Sequence, residues 1–379
     1  MNNHKGAFRA PVLVAAILCL FLAGPVLFAR LAQGILYSFD EAAPQEALFY
    51  DKLPEQNVQC RLCPRNCLIP PGKRGFCGIR ENRGGKLHTL SYAKAVSLND
   101  LDPIEKKPLF HFLPGTRTFS VATAGCNLKC KFCQNWSISQ KKPEEVDFVL
   151  LEPRELLEKA RKSGRPAIAY TYSEPTIFYE YMLHTAQLAK KAGIKNVMHS
   201  NGYINEAPLR HLVKYLDAAN IDLKGFSDDY YQELSEGTLE PVLRSLKVLR
   251  EEGVHLEITN LVVPGLNDDP QEIRKMCLWI RENLGADTPL HFSRFWPVYK
   301  LSGLDPTPLE SLEKAREIAR ECGLKYVYIG NVGNHPAEST YCPKCSKAVI
   351  TRVGYMVTEI NIENGRCKFC GERIEGVWK

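Results

Sequence analysis

Eleven of the chain's 14 cysteines fall into three closely spaced groups. The central one, Cys126-Asn127-Leu128-Lys129-Cys130-Lys131-Phe132-Cys133, has the spacing CxxxCxxC. Cys60, Cys63, Cys67 and Cys77 offer four thiols in a short stretch rich in turn residues. Cys342, Cys345, Cys367 and Cys370 form two CxxC pairs near the C-terminus. In a small secreted domain such groups read as disulfides. In a chain of 379 residues that is 45% hydrophobic and 24% charged, close pairs read better as metal ligands. Cysteines separated by two residues can place both thiolates on one tetrahedral ion.

The three groups predict different chemistry. Three thiolates can hold three irons of a 4Fe-4S cubane and leave the fourth iron open, as chemistry at a metal requires. A structural zinc would normally have a fourth protein ligand, which the central group lacks. The Cys60–Cys77 group has four thiols, with Pro64, Gly72 and Gly75 allowing a tight fold. Zinc is the default reading of such an all-thiolate site, with a second iron–sulfur cluster as the alternative, because spacing alone does not choose the metal. The terminal pairs flank two β-like runs, 348–353 and 356–362, and read as a zinc ribbon, with a rubredoxin-like iron site as the alternative. Cys277 and Cys322 fall on predicted helices and read as small core residues.

These groups must be carried by regular elements. Short apolar runs at 118–124, 167–172, 196–200, 218–223, 255–263, 289–295 and 326–330 predict strands. Amphipathic helices are predicted at 153–163, 176–192, 206–216, 238–252, 270–284 and 307–322. Pro153 opens the first of them, and Gly164, Gly193, Gly253, Gly285 and Gly323 follow helix ends as C-caps do. Repeated strand–helix units imply an α/β fold with a parallel sheet. They predict a full or partial TIM-type barrel, with chemistry at the C-terminal ends of its strands. A doubly wound sheet is the alternative, but no glycine-rich phosphate loop opens a helix. The expected order is an N-terminal segment (1–35), a linker with a short helical piece (36–57), a metal-binding module of four cysteines (58–100), the barrel (101–335) and a terminal ribbon (336–379).

The CNLKCKFC stretch directly after the first predicted strand resembles the radical S-adenosylmethionine (SAM) superfamily, over roughly 58–379. The resemblance implies a 4Fe-4S cluster on Cys126, Cys130 and Cys133, with SAM on the open iron. It also implies reductive cleavage of SAM to methionine and a 5′-deoxyadenosyl radical that removes hydrogen from a substrate. Phe132 occupies the family's aromatic position, near the adenine. Glu174 in Tyr172-Ser173-Glu174-Pro175 stands where relatives carry a Gly-Gly-Glu-type motif that binds the SAM amino group. Tyr172 and Ser173 replace its glycines. Glu174 also reads as a helix N-terminal carboxylate.

Ser200-Asn201-Gly202 resembles a ribose-side motif. Asp222 and Lys224 resemble the SAM-contacting Asp-x-Lys pair of pyruvate formate-lyase activating enzymes, although a surface salt bridge is the alternative. His199 stands where those activases have an aspartate, which puts a shared cation site in doubt. His291, Arg294 and Asn331, near later strand ends, are candidates to face SAM or substrate. His184, in mid-helix, reads as structural.

Pro11 to Ala29 is uncharged and apolar, close to the length of a bilayer span. An uncleaved anchor is the expectation, with a cleaved signal peptide as its rival. Lys5 and Arg9 precede the segment and Arg30 follows, which weakly places the rest outside the cytoplasm. The expected chemistry, with an oxygen-sensitive cluster and low-potential electrons, places it inside.

CxLCP at Cys60, the CNLKCKFCQN core, HFSRF at 291–295 and the terminal ribbon ending in GVW together resemble the radical SAM enzyme of the AmmeMemoRadiSam system, a relative of glycyl-radical activases. That resemblance implies a ferredoxin- or flavodoxin-type electron donor and a small-molecule or protein substrate. A net charge of +6, without a long basic run, gives no case for nucleic acid. A function of another class is a membrane-anchored electron-transfer scaffold without SAM chemistry.

Overall fold

The central sheet starts with β1 (Ser97–Pro103), which pairs antiparallel with β2 (Arg117–Ala122). Six strands follow in parallel: β3 (Ala167–Tyr170), β4 (Lys195–Ser200), β5 (Ala218–Asp222), β6 (His255–Val262), β7 (Leu290–Arg294) and β8 (Val327–Gly330). These features come from a computed structural model that describes residues 45–379. The expected anchor at Pro11–Ala29 and Cys19 lie outside the described residues. Among the described residues, no helix is long and apolar enough to cross a membrane.

Spatial order in the sheet equals sequence order from β1 to β8. A doubly wound sheet reverses direction at a switch point, and this one never does. Every crossover therefore extends the ladder the same way, as in a (β/α) barrel. No pairing joins β8 to β1 among the described residues, so the partial barrel is the form adopted.

Besides a single turn of helix at Trp136–Ser139, seven longer helices connect or follow these strands: α1 (Pro153–Lys162), α2 (Tyr179–Lys191), α3 (Glu206–Leu212), α4 (Asp228–Ser235), α5 (Glu240–Glu251), α6 (Pro270–Asn283) and α7 (Leu309–Glu321). The expected glycines follow the ends of α1, α2, α5, α6 and α7 with positive φ. Two expected helices are shorter. The 176–192 helix opens as a 3-10 turn at Pro175–Phe178, and the 206–216 helix closes as one at Val213–Tyr215.

Two elements of the central sheet and its longer helices were not foreseen. β1 is polar and largely exposed, because an edge strand needs few apolar residues to hold its ladder. α4 has only eight residues, too few to show a clear period. Ser227 caps it by accepting from Tyr230 N–H.

The expected linker is corrected over its described part. Gln45–Glu46 pairs with Lys86–Thr89, and Tyr50–Lys52 pairs with Val58–Cys60. Residues 45–57 are thus built into the cysteine module, and their only helical piece is a 3-10 turn at Pro54–Gln56. Such short strands carry too few residues to show an alternating pattern, and the ladder alone defines them.

Residues 45–379 form one compact unit. Arg80 and Glu180, both fully buried, tie the cysteine module to α2 as an ion pair. At the other end, Arg352 donates to the Phe110 carbonyl at 2.7 Å and to Thr340 Oγ1 at 2.9 Å. Val377 N–H donates to the His111 carbonyl at 2.7 Å. Removing one partner of a buried charge pair costs about 3–5 kcal/mol, so the Arg80–Glu180 contact makes the module's placement strongly specified.

Candidate active site and metal centres

The ends of seven strands, from β2 to β8, open on one cavity of ≈ 320 Å³. The loop after β2 brings Cys126, Cys130 and Cys133 to its wall, with Phe132 between them. This loop is held from below. Lys129 N–H and Lys131 N–H donate to the Ser235 and Leu234 carbonyls at the end of α4, at 2.9 and 2.8 Å. Ser235 Oγ lies 3.3 Å from Cys130 Sγ, and Ser139 Oγ lies 3.1 Å from Cys133 Sγ. Burial pushes the Cys126 thiol well above its usual range, with Glu174 and Cys130 adding to the effect. Burial also raises Cys130, against the pull of Lys224. Thiols in such surroundings ionise when a cation joins them, which is how metal binding couples to proton release.

Glu174 is buried where β3 gives way to the 3-10 turn. It accepts from Thr176 N–H at 2.9 Å, Ser200 Oγ at 2.6 Å and Asn201 N–H at 2.8 Å. The helix-capping role and the cavity-wall role therefore coexist. A carboxylate has about four acceptor sites, so one remains for a ligand. Asn201 Nδ2 donates to Asn127 Oδ1 at 2.9 Å and lies 3.6 Å from Cys126 Sγ. The β4 end thus binds the carboxylate and the cysteine loop to each other.

Asp222 and Lys224, at the end of β5, face the same cavity. Asp222 Oδ1 is 3.1 Å from His199 Nε2, and its Oδ2 is 2.9 Å from Lys224 Nζ. Burial opposes both charges. Lys224 and His199 nevertheless hold the Asp222 carboxyl far below its usual range. Asp222 and Cys130 likewise hold Lys224 well above its own. Lys224 Nζ also lies 5.8 Å from the centre of the Phe132 ring.

The remaining expected residues divide. Asn331 reaches the cavity wall. His291 reaches it too, but its Nε2 is 2.7 Å from the buried Glu257, and its ring is held between Phe110 and Tyr328. Arg294 does not line the cavity. Its Nε donates to the Thr307 carbonyl at 2.8 Å, and its guanidinium lies 4.6 Å from the Trp296 ring centre. His184 takes part in packing, 2.8 Å from the Tyr92 hydroxyl.

Among the wall residues that had not been singled out for the site are Lys107, Tyr172 and Tyr355. Lys107 pairs with Asp102, both fully buried, and burial lowers its pKa to about 8. Tyr172 donates its hydroxyl to the same Asp102 and has φ +65°. That left-handed backbone is the one glycine prefers. The tyrosine thus takes a backbone conformation open to the glycine that the motif would carry there. The third is Tyr355, from the terminal module. Lys107 lies outside every motif and Tyr355 lies in the turn of the distant terminal ribbon, and only the folded chain brings them here.

Ser173 Oγ supplies a test of fit. It is buried on the cavity wall without a hydrogen-bond partner. Buried polar groups are rarely left unpaired. A cavity with three converging thiols, an orphan hydroxyl, a carboxylate with spare capacity and a lysine suits a 4Fe-4S cluster with SAM.

The flanking groups differ from each other. Cys342 Sγ is 3.6 Å from Cys370 Sγ, and Cys345 Sγ is 3.8 Å from Cys367 Sγ. All four sulfurs lie within 4.8 Å of one another, a spacing that could hold a metal ion such as zinc. Cys60, Cys63, Cys67 and Cys77 instead surround a separate small cavity. Burial, then Cys60 and Cys77, push the Cys63 thiol up to about 12. Cys277 and Cys322 are buried in the core, as expected.

The model of the radical SAM superfamily matches residues 120–277. An uncharacterised protein of Methanocaldococcus jannaschii is 49% identical over 333 residues, covering 87% of this chain and 99% of the relative. The pyruvate formate-lyase 1-activating enzyme of Escherichia coli is 24% identical over 230 residues, covering 57% of this chain and 93% of that enzyme. Among solved structures, a radical SAM methyltransferase from Sphaerobacter thermophilus is similar with a TM-score of 0.45 and 15% identity, over 58% of this chain and 68% of that one. The chain belongs to the radical SAM superfamily and is related to the pyruvate formate-lyase activating enzymes.

Proposed function

We propose that the chain is an enzyme that cleaves SAM reductively at a 4Fe-4S cluster on Cys126, Cys130 and Cys133, and uses the radical formed to take hydrogen from its substrate. The observation that carries this reading is the meeting of those three thiols with Glu174, Asp222 and Lys224 in one cavity. When bound, the cluster supplies the low-potential electron that splits SAM into methionine and a 5′-deoxyadenosyl radical. The chain's residues bind and orient. Lys224 stands as the cation for the SAM carboxylate, kept in place and charged by Asp222. Glu174 has the spare acceptor site for the SAM amino group. Ser200 and Asn201 hold Glu174 in position, and Phe132 offers an apolar wall to the adenine. An electron-transfer scaffold without SAM has no use for this lysine and these carboxylates beside the thiols.

The similarity to an enzyme that activates pyruvate formate-lyase favours, as a narrower reading, hydrogen removal from a backbone glycine of a partner protein. Membership of the AmmeMemoRadiSam branch, with another protein or a small molecule as substrate, is the rival. On either reading a ferredoxin- or flavodoxin-type protein donates the electron. As part of the same proposal, Pro11–Ala29 anchors the chain in a membrane with the catalytic unit on the cytoplasmic side, where reductant and SAM are found.

Anaerobic full-length protein in detergent, given dithionite and SAM, is expected to form 5′-deoxyadenosine, detected by mass spectrometry. The Cys130→Ala variant should form none. Absence of the product from wild type with an intact, reducible cluster would count for the scaffold reading.

A further inference from the structure

We infer that Cys60, Cys63, Cys67 and Cys77 hold a second iron–sulfur cluster, not a zinc ion, directly behind the first site. The spacing of thiols within this one molecule carries the distinction. A tetrahedral ion with Zn–S bonds of about 2.3 Å draws its sulfurs to roughly 3.8 Å of one another. The terminal cysteines approach this, with contacts at 3.6 and 3.8 Å and all four sulfurs within 4.8 Å. Among the described residues, no three thiols of the Cys60–Cys77 group come so close together. They line the wall of a small cavity of ≈ 20 Å³ instead. The thiolates of a cubane sit on different irons, roughly 6 Å apart. The Cys126–Cys133 thiols, which suit such a cluster, likewise fail to close to zinc spacing.

The surroundings agree with a cluster. Arg80, fully buried, directs one guanidinium nitrogen to within 3.6 Å of Cys60 Sγ. Hydrogen bonds to sulfur and charge at the site are the levers by which a protein tunes such a cluster. The two sites share a wall, since Asn127 and Thr176 line the cysteine cavity and are chain neighbours of Cys126 and of the Ser173–Glu174–Pro175 stretch. Arg65 Nε, between Cys63 and Cys67, donates to the Asn127 carbonyl at 2.9 Å. Gly125 completes the contact. Its φ is +99°, and a Cβ there would lie 2.5 Å from Ile79 Cγ1 and 3.5 Å from the Cys77 carbonyl. Only glycine lets the two cysteine loops approach this closely.

The second cluster rests on the reading of Cys126, Cys130 and Cys133 as ligands of the first, and metal analysis separates the two. The full chain would be purified anaerobically in detergent, without chemical reconstitution, and its iron, acid-labile sulfide and zinc measured. With two four-iron clusters and a terminal zinc, wild type should carry about eight irons and about one zinc per chain. A Cys126→Ala/Cys130→Ala/Cys133→Ala variant should keep about four irons with their sulfide, and an electron paramagnetic resonance signal after reduction. A Cys63→Ala/Cys67→Ala variant should lose about four irons while keeping the first cluster's spectrum. About four irons and two zincs in wild type, with no sulfide in the triple variant, would overturn the second cluster. Should the triple variant lose no iron relative to wild type, the first-site reading fails instead. If a variant does not fold, the wild-type ratio of iron to zinc alone decides between cluster and zinc.

Discussion

Asp222 Oδ2 lies 2.9 Å from Lys224 Nζ, although the two residues stand only two positions apart at the end of β5. The period of an extended chain puts residues i and i+2 on one face, and here that face is the cavity. The pair is therefore a product of strand geometry as well as of charge. Its consequence is a lysine kept protonated within reach of the cluster loop.

Replacing Lys224 by methionine should separate binding from cluster assembly. The side chain keeps much of its length but loses the charge. A hydrogen bond to a charged group contributes about 1.5–3 kcal/mol, so SAM affinity should fall roughly 10- to 100-fold. Iron content should stay at the wild-type level. Calorimetric titration with SAM, beside iron analysis, checks this. Lost iron with unchanged affinity would move Lys224 from ligand binding to cluster support.

Tyr172 offers a test of stored strain and its compensation. Its φ of +65° is costly for a tyrosine, at about 1–3 kcal/mol. The hydroxyl bond to the buried Asp102, together with Lys107 Nζ at 4.5 Å from the ring centre, opposes that cost. Tyr172→Phe keeps the strain and removes one donor from Asp102. Stability should fall by about 1–3 kcal/mol, seen in the midpoint of denaturant unfolding. An unchanged midpoint would mean that the hydroxyl bond is not what holds this turn.

Glu257 makes the stability of the barrel depend on pH. Buried on β6, it accepts from Phe110 N–H at 3.0 Å and His111 N–H at 2.7 Å, with His255 and His291 nitrogens at 3.0 and 2.7 Å. Burial opposes its charge, but the two histidine contacts outweigh it and hold the carboxyl well below its usual range. The folded state therefore binds the proton more weakly than the unfolded chain. The stabilisation is fully present above the ordinary glutamate range of about 4.3 and is lost as pH falls through the depressed folded value. Thermal unfolding of wild type should weaken below about pH 4. Glu257→Gln should be less stable at pH 7 and lose less on acidification. Parallel pH profiles for the two proteins would exclude Glu257 as the titrating group.

Much of the site could be read before folding was considered, because its chemistry is local. Cys126, Cys130 and Cys133 sit in one loop, and their spacing alone implies a metal with an open position. Short continuous apolar runs, separated by amphipathic helices, marked seven strands, since burial on both faces of a parallel sheet demands such runs. The terminal CxxC pairs were legible for the same reason. Ligands close in sequence need only one turn to meet.

Tertiary structure decided what depends on distant partners. β1 escaped notice because an edge strand can remain polar. Residues 45–57 read as a linker because three-residue strands carry no period. His291 stood at a strand end like the other wall residues, and only the fold showed that Glu257 engages it from behind. Lys107, outside every motif, and Tyr355, in the turn of the terminal ribbon, enter the cavity from far along the chain. The sequence determined which cysteines act together in each group. The distances between their sulfurs, which distinguish a site drawn to one ion from a site built around a larger group, follow from how the surrounding backbone packs. Spacing along a chain does not specify that packing.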